Sequence, residues 1–497
     1  MPVNTTTPPW TISAEALNLP EDAAFPRSNY INGRKRTDGN GRFNTVTDKY
    51  HGTAMAHVPL ATAAQMDEAI SAAVAARPAL RRMSAGERSR NLAHLAHAIE
   101  ENADVFARTI MQEAGKPIGY AEAEVARALV TVRTAAAEAL RLTGEQVAMD
   151  FGKGIGRTAI TKRIPIGVVA AITPFNFPLN LVLHKVAPAL ASGCPVVLKP
   201  APLTPLTSLL LAELIDGVGW PAGAFNVLVA TNEVAEVLVR DERVAMLSFT
   251  GSDAVGWRLK EMCGKKKVAL ELGGNAAVVI DEGTDLAAAA RNVAMGANLY
   301  AGQTCISTQR IFVVKSVFDP FRDLLVKEFH ALRAGDPADR DVAVGPLIDR
   351  KHFRRIADWL DEAIKGGARL LAGGKPVDTE HNVFAATLLT GTKLDMKVFS
   401  EEMFGPITLV EPVRDFSEAI AQVNNSRYGL QAAVYTNNLA HMKQAHAELE
   451  VGTVVINDIP GFRIDSMPYG GVKDSGLGRE GLRYAMEEMT EPRLMVY

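Results

Sequence analysis

The stretch "GVVAAITPFNFPLNLVLHKVAPALASGCPVVLKP", residues 167–200, places a longer helical segment between two short apolar runs. Short apolar runs that alternate with helices are typical of βαβ units, which build parallel sheets. The pattern continues downstream in four further runs, AFNVLVA, AMLSFTGS, VALELGG and AAVVID. We therefore predict an α/β fold, and 497 residues are enough for two or three packed domains.

Composition excludes several classes of protein. With 47% hydrophobic and 22% charged residues, the chain is expected to be globular, not disordered, fibrous or collagen-like. The formal charge of −3 offers no nucleic-acid footprint, and the basic run 265–267 is interpreted as a solvated turn before a strand. We see no secretion signal and no apolar run of the roughly 18 residues that a membrane span needs. Three cysteines without a C-x-x-C pair favour a reducing compartment, so a cytoplasmic protein is expected.

Two capping boxes predict the first helices. They are formed by Thr62 with Gln65 and by Ser84 with Glu87. Apolar residues at helical spacing predict a packed face on the second helix: Leu92, Leu95, Ile99 and Phe106. His94 and His97 lie on that helix, but with no third ligand nearby a surface helix is preferred to a metal site. No metal is expected.

Four strand ends are predicted to meet in one crevice. In open parallel sheets ligands bind beyond the carboxyl ends of the strands, where TPFNFP, KPAPLTP, FTGS and ELGG follow. Neither G-x-G-x-x-G nor G-x-x-x-x-G-K-[ST] follows these strands. The helix that begins after FTGS could still hold a phosphate through its free N–H groups and its dipole.

Three residues near this crevice have the chemistry of acyl transfer. Cys305, in "LYAGQTCISTQR" (299–310), sits between small and polar residues, as a cysteine presented for reaction would. Asn176 could supply an amide N–H for an oxyanion, and Glu271 a carboxylate that acts as a base. Each also has a structural interpretation, as a packed thiol, a turn residue and a surface cap respectively.

Several motifs together resemble the aldehyde dehydrogenase superfamily from about residue 30 to the C-terminus. They are TPFNFPL, VVLKP, SFTGS, LELGGN, GQTCIS, EEMFGP and MPYGGVKDSGLGREG, in the family's order. The resemblance implies an aldehyde dehydrogenase fold with a Rossmann-like cofactor domain (1–142 and 166–273) and an α/β catalytic domain (274–483). It also implies a small β oligomerisation arm (143–165 and 484–497) and hence a homo-oligomer, either a dimer or a tetramer.

The same resemblance implies a catalytic role for each of the three residues. Cys305 would be the nucleophile, forming a thiohemiacetal and then a thioester, with Asn176 and the Cys305 backbone N–H as the oxyanion hole. Glu271 would be the general base for hydrolysis, which argues against transfer of the acyl group to coenzyme A. Because all three residues are present, a non-catalytic nucleotide-binding oligomer is disfavoured.

NAD or NADP is the implied cofactor. Lys199 resembles the ribose-binding lysine, and Glu402, with Phe404 nearby, the ligand of the nicotinamide ribose. The other implied cofactor residues are Ile172, Thr173, Pro174, Phe175, Gly251, Ser252, Leu272 and Gly273. Pro202 stands where many NAD-preferring members carry a glutamate that repels a 2′-phosphate. Both cofactors are therefore expected to work, with NAD slightly favoured.

The segment NDIPGFRIDSMPYGGVKDSG resembles the branch that contains lactaldehyde and phosphonoacetaldehyde dehydrogenases, which act on short hydrophilic substrates. Thr304 and Ile306, on either side of the cysteine, are candidate substrate-binding residues, as are Arg463 and Asp465. Arg463 could pair with an anionic substrate or be a structural partner of Asp465, and the structural interpretation is preferred. A small aldehyde is the expected substrate; a longer anionic semialdehyde is the alternative.

Overall fold

The computed structural model describes residues 25–39 and 41–497 of the chain. Its strands, in chain order, are β1 (Phe25–Pro26), β2 (Asn29–Ile31), β3 (Arg34–Arg36), β4 (Phe43–Thr47), β5 (Ala54–Pro59), β6 (Gln146–Val147), β7 (Ala159–Pro165), β8 (Val168–Ile172), β9 (Val196–Lys199), β10 (Phe225–Val227), β11 (Val244–Thr250), β12 (Lys267–Glu271), β13 (Ala277–Ile280), β14 (Arg310–Val314), β15 (Arg369–Ala372), β16 (Pro376–Asp378), β17 (Val383–Phe384), β18 (Thr387–Thr390), β19 (Ile407–Val413), β20 (Tyr428–Gly429), β21 (Gln431–Tyr435), β22 (Thr453–Ile456), β23 (Val472–Lys473), β24 (Gly476–Leu477) and β25 (Thr490–Val496).

The helices are α1 (Ala63–Arg82), α2 (Ala85–Glu101), α3 (Ala103–Ala114), α4 (Ile118–Ala139), α5 (Asn180–Ser192), α6 (Leu206–Gly217), α7 (Asn232–Arg240), α8 (Asp253–Met262), α9 (Leu286–Asn298), α10 (Phe318–Ala331), α11 (Arg350–Lys365), α12 (Lys397–Ser400), α13 (Phe416–Asn424), α14 (Leu439–Glu448) and α15 (Leu482–Glu488). Among the described residues, no helix combines the length and the apolarity that crossing a membrane requires.

The stretch 167–200 forms the predicted βαβ unit. Strands β8 and β9 pair in parallel, with Val169 opposite Val196, and helix α5 connects them. Both strands are buried throughout, as expected when helices cover both faces of a parallel sheet. Helix α5 is terminated by Gly193, whose φ of +86° is the left-handed geometry that glycine adopts without strain.

This unit lies inside an eight-stranded sheet with the order β24-β12-β11-β8-β9-β10-β2-β3. Strands β12, β11, β8, β9 and β10 run parallel, whereas β24 and β2 join antiparallel at the two sides. Because the parallel strands share one direction, the segments after β8, β9, β11 and β12 emerge at the same edge.

A second, seven-stranded sheet has the order β15-β18-β19-β14-β13-β21-β22 and is parallel except for β15. It has its own hydrophobic core, separate from the cores on the two faces of the first sheet. The predicted boundary at residue 273 falls between β12 and β13, which belong to different sheets. Strand β24, from the later part of the chain, returns to the first sheet. The exact domain bounds stay a prediction.

A three-stranded sheet, β25-β7-β6, joins the segments predicted to form the oligomerisation arm. Strand β25 pairs with β7 along its whole length, from Thr490 opposite Pro165 to Val496 opposite Ala159. Beyond Thr490, the residues of β25 are exposed. The last strand is thus an open edge.

The helix predictions are confirmed with one correction. Both capping boxes form, at the start of α1 and of α2. The packed face of α2 does not continue to Phe106, because α2 ends at Glu101 and Phe106 lies on α3. Asn102 separates the two helices, and its side chain donates to Ala98 O. In the basic run, residues 265 and 266 form the turn and Lys267 begins β12.

Candidate active site

The loop that carries Cys305 has strained backbone. The strain lies in the short 3-10 segment that leads into the cysteine, Leu299–Gly302, where Tyr300 and Ala301 have φ angles of 51° and 53°. Left-handed backbone is unfavourable for non-glycine residues and persists only where surrounding contacts impose it. Here the Tyr300 side chain is fully buried and its hydroxyl donates to Ala114 O. The cysteine loop is therefore fixed by packing from α3.

Cys305 is the accessible thiol of the three free cysteines. It is partly exposed, whereas Cys194 and Cys263 are buried. Its Sγ lies 3.3 Å from Tyr469 Oη. Burial raises the pKa of Cys305 to about 12, and the contact with Tyr469 opposes that shift. Since the thiolate is the nucleophilic form, neighbouring groups must stabilise it.

Asn176 lies beside the same loop. Its Nδ2 donates to Gln303 O at 3.0 Å, while its buried Oδ1 has no hydrogen-bond partner among the described residues. An amide nitrogen has two hydrogens, so one remains for an oxyanion. Asn176 and Cys305 line the same cavity, as the sequence predicted. Their roles as oxyanion donor and nucleophile stay predictions.

Glu271 ends β12, and its side chain is buried. Neither carboxyl oxygen has a hydrogen-bond partner within the described residues. Burial, followed by repulsion from Glu480, raises the pKa of Glu271 well above its usual value. A Cβ at Gly470 would lie 2.7 Å from the backbone oxygen of Gly478, which explains a glycine there, and 3.0 Å from Glu271 Oε1. A carboxylate with a raised pKa suits a general base.

A cavity of about 410 Å³ opens where β8, β9, β11 and β12 end. This volume is in the range of small-molecule sites. Every residue predicted to bind cofactor lines it: Ile172, Thr173, Pro174, Phe175, Lys199, Pro202, Gly251, Ser252, Leu272, Gly273, Glu402 and Phe404. The predicted convergence of four strand ends is confirmed.

The lining residues fit a nicotinamide dinucleotide. Burial lowers the pKa of Lys199 to about 8, and no charged group among the described residues offsets that shift, so its ammonium is available to a ligand. Helix α8 begins directly after Ser252, and a helix N-terminus offers N–H groups to a phosphate. The hydroxyls of Thr173 and Thr250 are buried without a partner in the described part of the chain.

Glu402 and Phe404 form the wall nearest the cysteine loop. Glu402 Oε1 accepts a hydrogen bond from Gly274 N at 2.8 Å, and burial raises the pKa of this carboxyl to about 7. A Cβ at Gly273 would lie 2.5 Å from Glu402 Oε2, so a larger residue there would displace the carboxyl group from this position. Phe404 packs edge-on against Phe175, with ring centroids 5.8 Å apart.

The four candidate substrate residues do not line this cavity. Thr304 is buried, and Ile306 is partly exposed. The side chains of Arg463 and Asp465 are both buried, with Arg463 Nε 3.9 Å from Asp465 Oδ1, a distance too long for a hydrogen bond. The nearer carboxylate partner of Arg463 is Glu480, at 3.3 Å.

Arg463 and Asp465 belong to a larger group, here called the buried charge cluster. Its members are Arg127, His184, Lys185, Arg463, Asp465 and Glu480. Asp465 accepts from Arg127 at 2.8 Å and contacts His184 at 2.7 Å. Lys185 donates to Glu480 at 2.8 Å. The cluster reaches Cys305 through Tyr469, because the Arg463 guanidinium lies 3.6 Å from the Tyr469 ring centroid.

Sequence reasoning did not identify several residues that surround the site. Tyr469 lies within the quoted MPYGG motif, yet nothing in the motif shows that its hydroxyl meets the sulfur. Three further basic side chains line the cofactor cavity: Arg258, His352 and Arg355. They come from α8 and α11, whose exposed faces give no sequence signal. No group of side chains suited to a metal ion occurs among the described residues.

Comparison with known proteins agrees with this architecture. Residues 36–495 match the aldehyde dehydrogenase family. A 3-sulfolactaldehyde dehydrogenase from Priestia aryabhattai is 40% identical over 470 residues, 94% of this chain and 97% of the relative. The NADP-dependent succinate-semialdehyde dehydrogenase of Escherichia coli is 37% identical over 96% of this chain and 99% of its own length.

Solved structures give the same result. Aldehyde dehydrogenase 21 from Physcomitrella patens, in complex with the reaction product succinate, superposes with a TM-score of 0.92. It is 39% identical, with 96% of this chain and 98% of that chain covered. Other structural neighbours are NAD-dependent or are complexed with NADP. The chain belongs to the aldehyde dehydrogenase family, and it is an NAD(P)-dependent enzyme that oxidises aldehydes.

Proposed function

We propose that this enzyme oxidises a short anionic aldehyde to its carboxylic acid, with Cys305 as the nucleophile. The observation that carries this proposal is the buried charge cluster, which holds guanidinium nitrogens without a hydrogen-bond partner among the described residues and contacts Cys305 through Tyr469. A buried hydrogen-bond donor without a partner is costly. The anionic group of the substrate would accept hydrogen bonds from these donors.

The charges within the cluster can be counted. Three cationic side chains face two carboxylates; Arg127 is one-third exposed, and the buried Glu271 carboxyl also interacts with Arg463 and Lys185. Burial, followed by repulsion from Arg463, lowers the pKa of His184, which favours its neutral form. Burial also opposes ionisation of Asp465, but the hydrogen bonds and charges of His184 and Arg127 together outweigh it and lower the pKa of Asp465. The Nε atoms of Arg127 and Arg463 are buried without a partner among the described residues, so donors remain for an anion.

The chemistry follows from the residues around the sulfur. Cys305 would attack the aldehyde carbon, and Asn176 with the Cys305 backbone N–H would hold the oxyanion. Lys199, Glu402 and the N-terminus of α8 would hold the dinucleotide. When bound, the nicotinamide supplies the hydride acceptor that the oxidation needs. Glu271 would then take a proton from water, whose oxygen attacks the thioester carbon and releases the acid.

The known relatives support an anionic substrate. The names of the Priestia and Escherichia coli enzymes specify 3-sulfolactaldehyde and succinate semialdehyde, which carry a sulfonate and a carboxylate. The Physcomitrella patens structure holds succinate, a dicarboxylate. Guanidinium groups bind both kinds of anion well.

We also propose that NAD and NADP are both accepted. Pro202 brings no negative charge to the cavity, and Lys199 lines the same wall. Arg258, from α8, adds a second basic side chain that the motif around Lys199 lacks. The slight preference for NAD expected from the sequence stays a prediction, and Arg258 would reduce it.

We also propose that the enzyme is cytoplasmic and forms a homo-oligomer. Three free cysteines accord with a reducing compartment, which supports a cytoplasmic enzyme. The exposed edge strand β25 supports a homo-oligomer, because an unpaired edge invites pairing with another copy.

The test is a panel of aldehydes of matched length with and without a terminal anion, assayed by cofactor reduction. We expect succinate semialdehyde to exceed butyraldehyde in kcat/KM by about tenfold or more, the size of a charged hydrogen bond. Cys305→Ala should abolish turnover while cofactor binding survives. Equal kcat/KM for the two aldehydes would refute the anionic substrate, and turnover by Cys305→Ala would refute the nucleophile.

Arg127 allows a matched comparison on helix α4. Arg127→Gln should lower kcat/KM for the anionic aldehyde more than for the neutral one. Arg133→Gln, on the same helix but paired with Glu100 at the surface, should change neither. If both variants behave alike, the cluster does not recognise the substrate.

A further inference from the structure

We infer that Tyr469 is a further catalytic residue, whose phenol O–H donates a hydrogen bond to the Cys305 thiolate and so stabilises the nucleophile. The inference rests on the nucleophilic role proposed for Cys305. It assigns a chemical function to the tyrosine of the MPYGG motif, which otherwise has none.

The first support is the geometry of the contact. Tyr469 is 3% exposed, and its Oη lies 3.3 Å from Cys305 Sγ. No other hydrogen-bond partner of this hydroxyl occurs among the described residues. Either atom can donate while the sulfur is a thiol. Once the sulfur is a thiolate it has no proton, so only Tyr469 can donate, and a hydrogen bond to an ion is the stronger kind.

The second support is the way the ring is held. The Arg463 guanidinium lies 3.6 Å from the ring centroid, the distance of a cation–π contact. The Tyr469 backbone exchanges hydrogen bonds with Glu480, at 3.0 Å and 2.6 Å. The ring is thus clamped between the buried charge cluster and the sulfur. A positive charge over the ring also strengthens the O–H as a donor.

The third support is that the hydroxyl keeps its proton. Burial, followed by the charge on Cys305, raises the pKa of Tyr469 well above its usual value. Tyr469 is therefore a donor at all physiological pH values and not a base. The next residue, Gly470, packs against Glu271, which is the proposed base. One dipeptide contacts both the nucleophile and the proposed base.

Thiol alkylation tests the inference without turnover. Iodoacetamide modification of Cys305, followed by mass spectrometry at neutral and mildly alkaline pH, gives a rate proportional to the thiolate fraction, so the ratio of rates between two variants gives the shift in the midpoint of thiol ionisation. Tyr469→Phe should raise that midpoint by about one pH unit, so that alkylation near neutral pH slows about tenfold. Tyr435→Phe is the matched control, because it removes another buried tyrosine hydroxyl, on β21, and should leave the midpoint unchanged.

A second variant keeps the shape of the side chain. Replacing Tyr469 with 3-fluorotyrosine makes the phenol more acidic and a stronger donor, so the midpoint should fall. A midpoint that neither variant moves would overturn the role of Tyr469 while leaving Cys305 as the nucleophile. Absence of alkylation at Cys305 in the wild-type protein, together with turnover by Cys305→Ala, would instead refute the proposed function on which the inference rests.

Discussion

Burial without a partner distinguishes Glu271 from the other carboxylates in the described part of the chain. Glu480 is equally buried, yet Lys185 donates to it, whereas both oxygens of Glu271 lack partners within the described residues. A structural carboxylate would normally be hydrogen-bonded, because an unsatisfied buried group costs about 1–3 kcal/mol. Such a cost is understandable where a catalytic base must remain free to bind water.

We predict that Glu271→Gln allows acylation but slows hydrolysis of the thioester. Rapid mixing with cofactor should then show a burst of about one reduced cofactor per active site, followed by slow turnover. Because the pKa of Glu271 is raised, wild-type hydrolysis should increase as pH rises through that pKa, where the carboxylate forms. The variant should lose this limb of the pH profile. A variant with neither burst nor turnover would show that Glu271 acts before acylation.

Pro202 carries the prediction on cofactor choice. It lines the cavity beside Lys199, so Pro202→Glu would place a carboxylate near the bound dinucleotide. We expect selectivity against NADP to rise by about 1–2 kcal/mol, the size of a close repulsion at a partly exposed site. The measurement is the ratio of kcat/KM for NAD and NADP. Glutamine has nearly the shape of glutamate without its charge, so Pro202→Gln should leave the ratio unchanged. Equal effects of the two variants would exclude electrostatic repulsion as the cause.

The sequence predicts the residues of the site better than their partners. Cys305, Asn176 and Lys199 follow from motifs, because each lies in a short segment with a recognisable pattern. Tyr469 meets Cys305 across 164 residues of sequence, and the contact depends on tertiary packing. Arg463 illustrates the same limit: sequence proximity suggested Asp465 as its partner, but the folded chain brings Glu480 closer.

At the scale of elements, a buried ion pair fixes the start of helix α5. Glu124 on α4 accepts from Leu179 N at 3.0 Å and from Asn180 N at 3.1 Å, which are free N–H groups of the helix N-terminus. Lys116 donates to the other oxygen of Glu124, and its ammonium lies 3.8 Å from the Phe177 ring centroid. The pair thereby supports the loop that carries Asn176.

We predict that Lys116→Met destabilises the protein by about 3–5 kcal/mol, because it leaves the Glu124 charge buried and unpaired. Urea unfolding followed by tryptophan fluorescence measures the effect. Lys397→Met provides the comparison, since Lys397 pairs with Glu362 at the surface and should contribute less than about 1 kcal/mol. Similar losses in both variants would mean that burial of the Lys116–Glu124 pair is not what matters.

Element types were predictable, but some boundaries were not. The parallel strands of stretch 167–200 follow from apolar runs of strand length, and capping boxes locate the starts of α1 and α2. The break at Asn102 was missed because helical spacing continues across it, from Ile99 to Phe106. Strand β24 was also missed, since a strand of two residues at a sheet edge carries no periodic signal.

At the scale of the whole molecule, β25 is an open sheet edge whose outer side pairs with no other strand among the described residues. Its inner side pairs with β7. Large apolar side chains are exposed on this sheet and on the loop between β6 and β7: Phe151 at 70%, Ile155 at 72%, Leu494 at 55% and Met495 at 54%. An exposed, apolar edge strand is prone to pair with another strand.

We therefore predict that replacing Leu494 and Met495 together by glutamate and lysine converts an oligomer into smaller species. The charged side chains would be buried at the interface but hydrated on a single chain. The substitutions therefore make association less favourable and leave the free energy of folding of the single chain unchanged. Light scattering after size-exclusion chromatography gives the mass of each species. Leu439→Lys, at an equally exposed apolar position on α14, should leave the mass unchanged. Since β25 lies away from the cavity residues, the dissociated variant should still bind cofactor; a wild-type protein that is monomeric at micromolar concentration would exclude pairing through this edge.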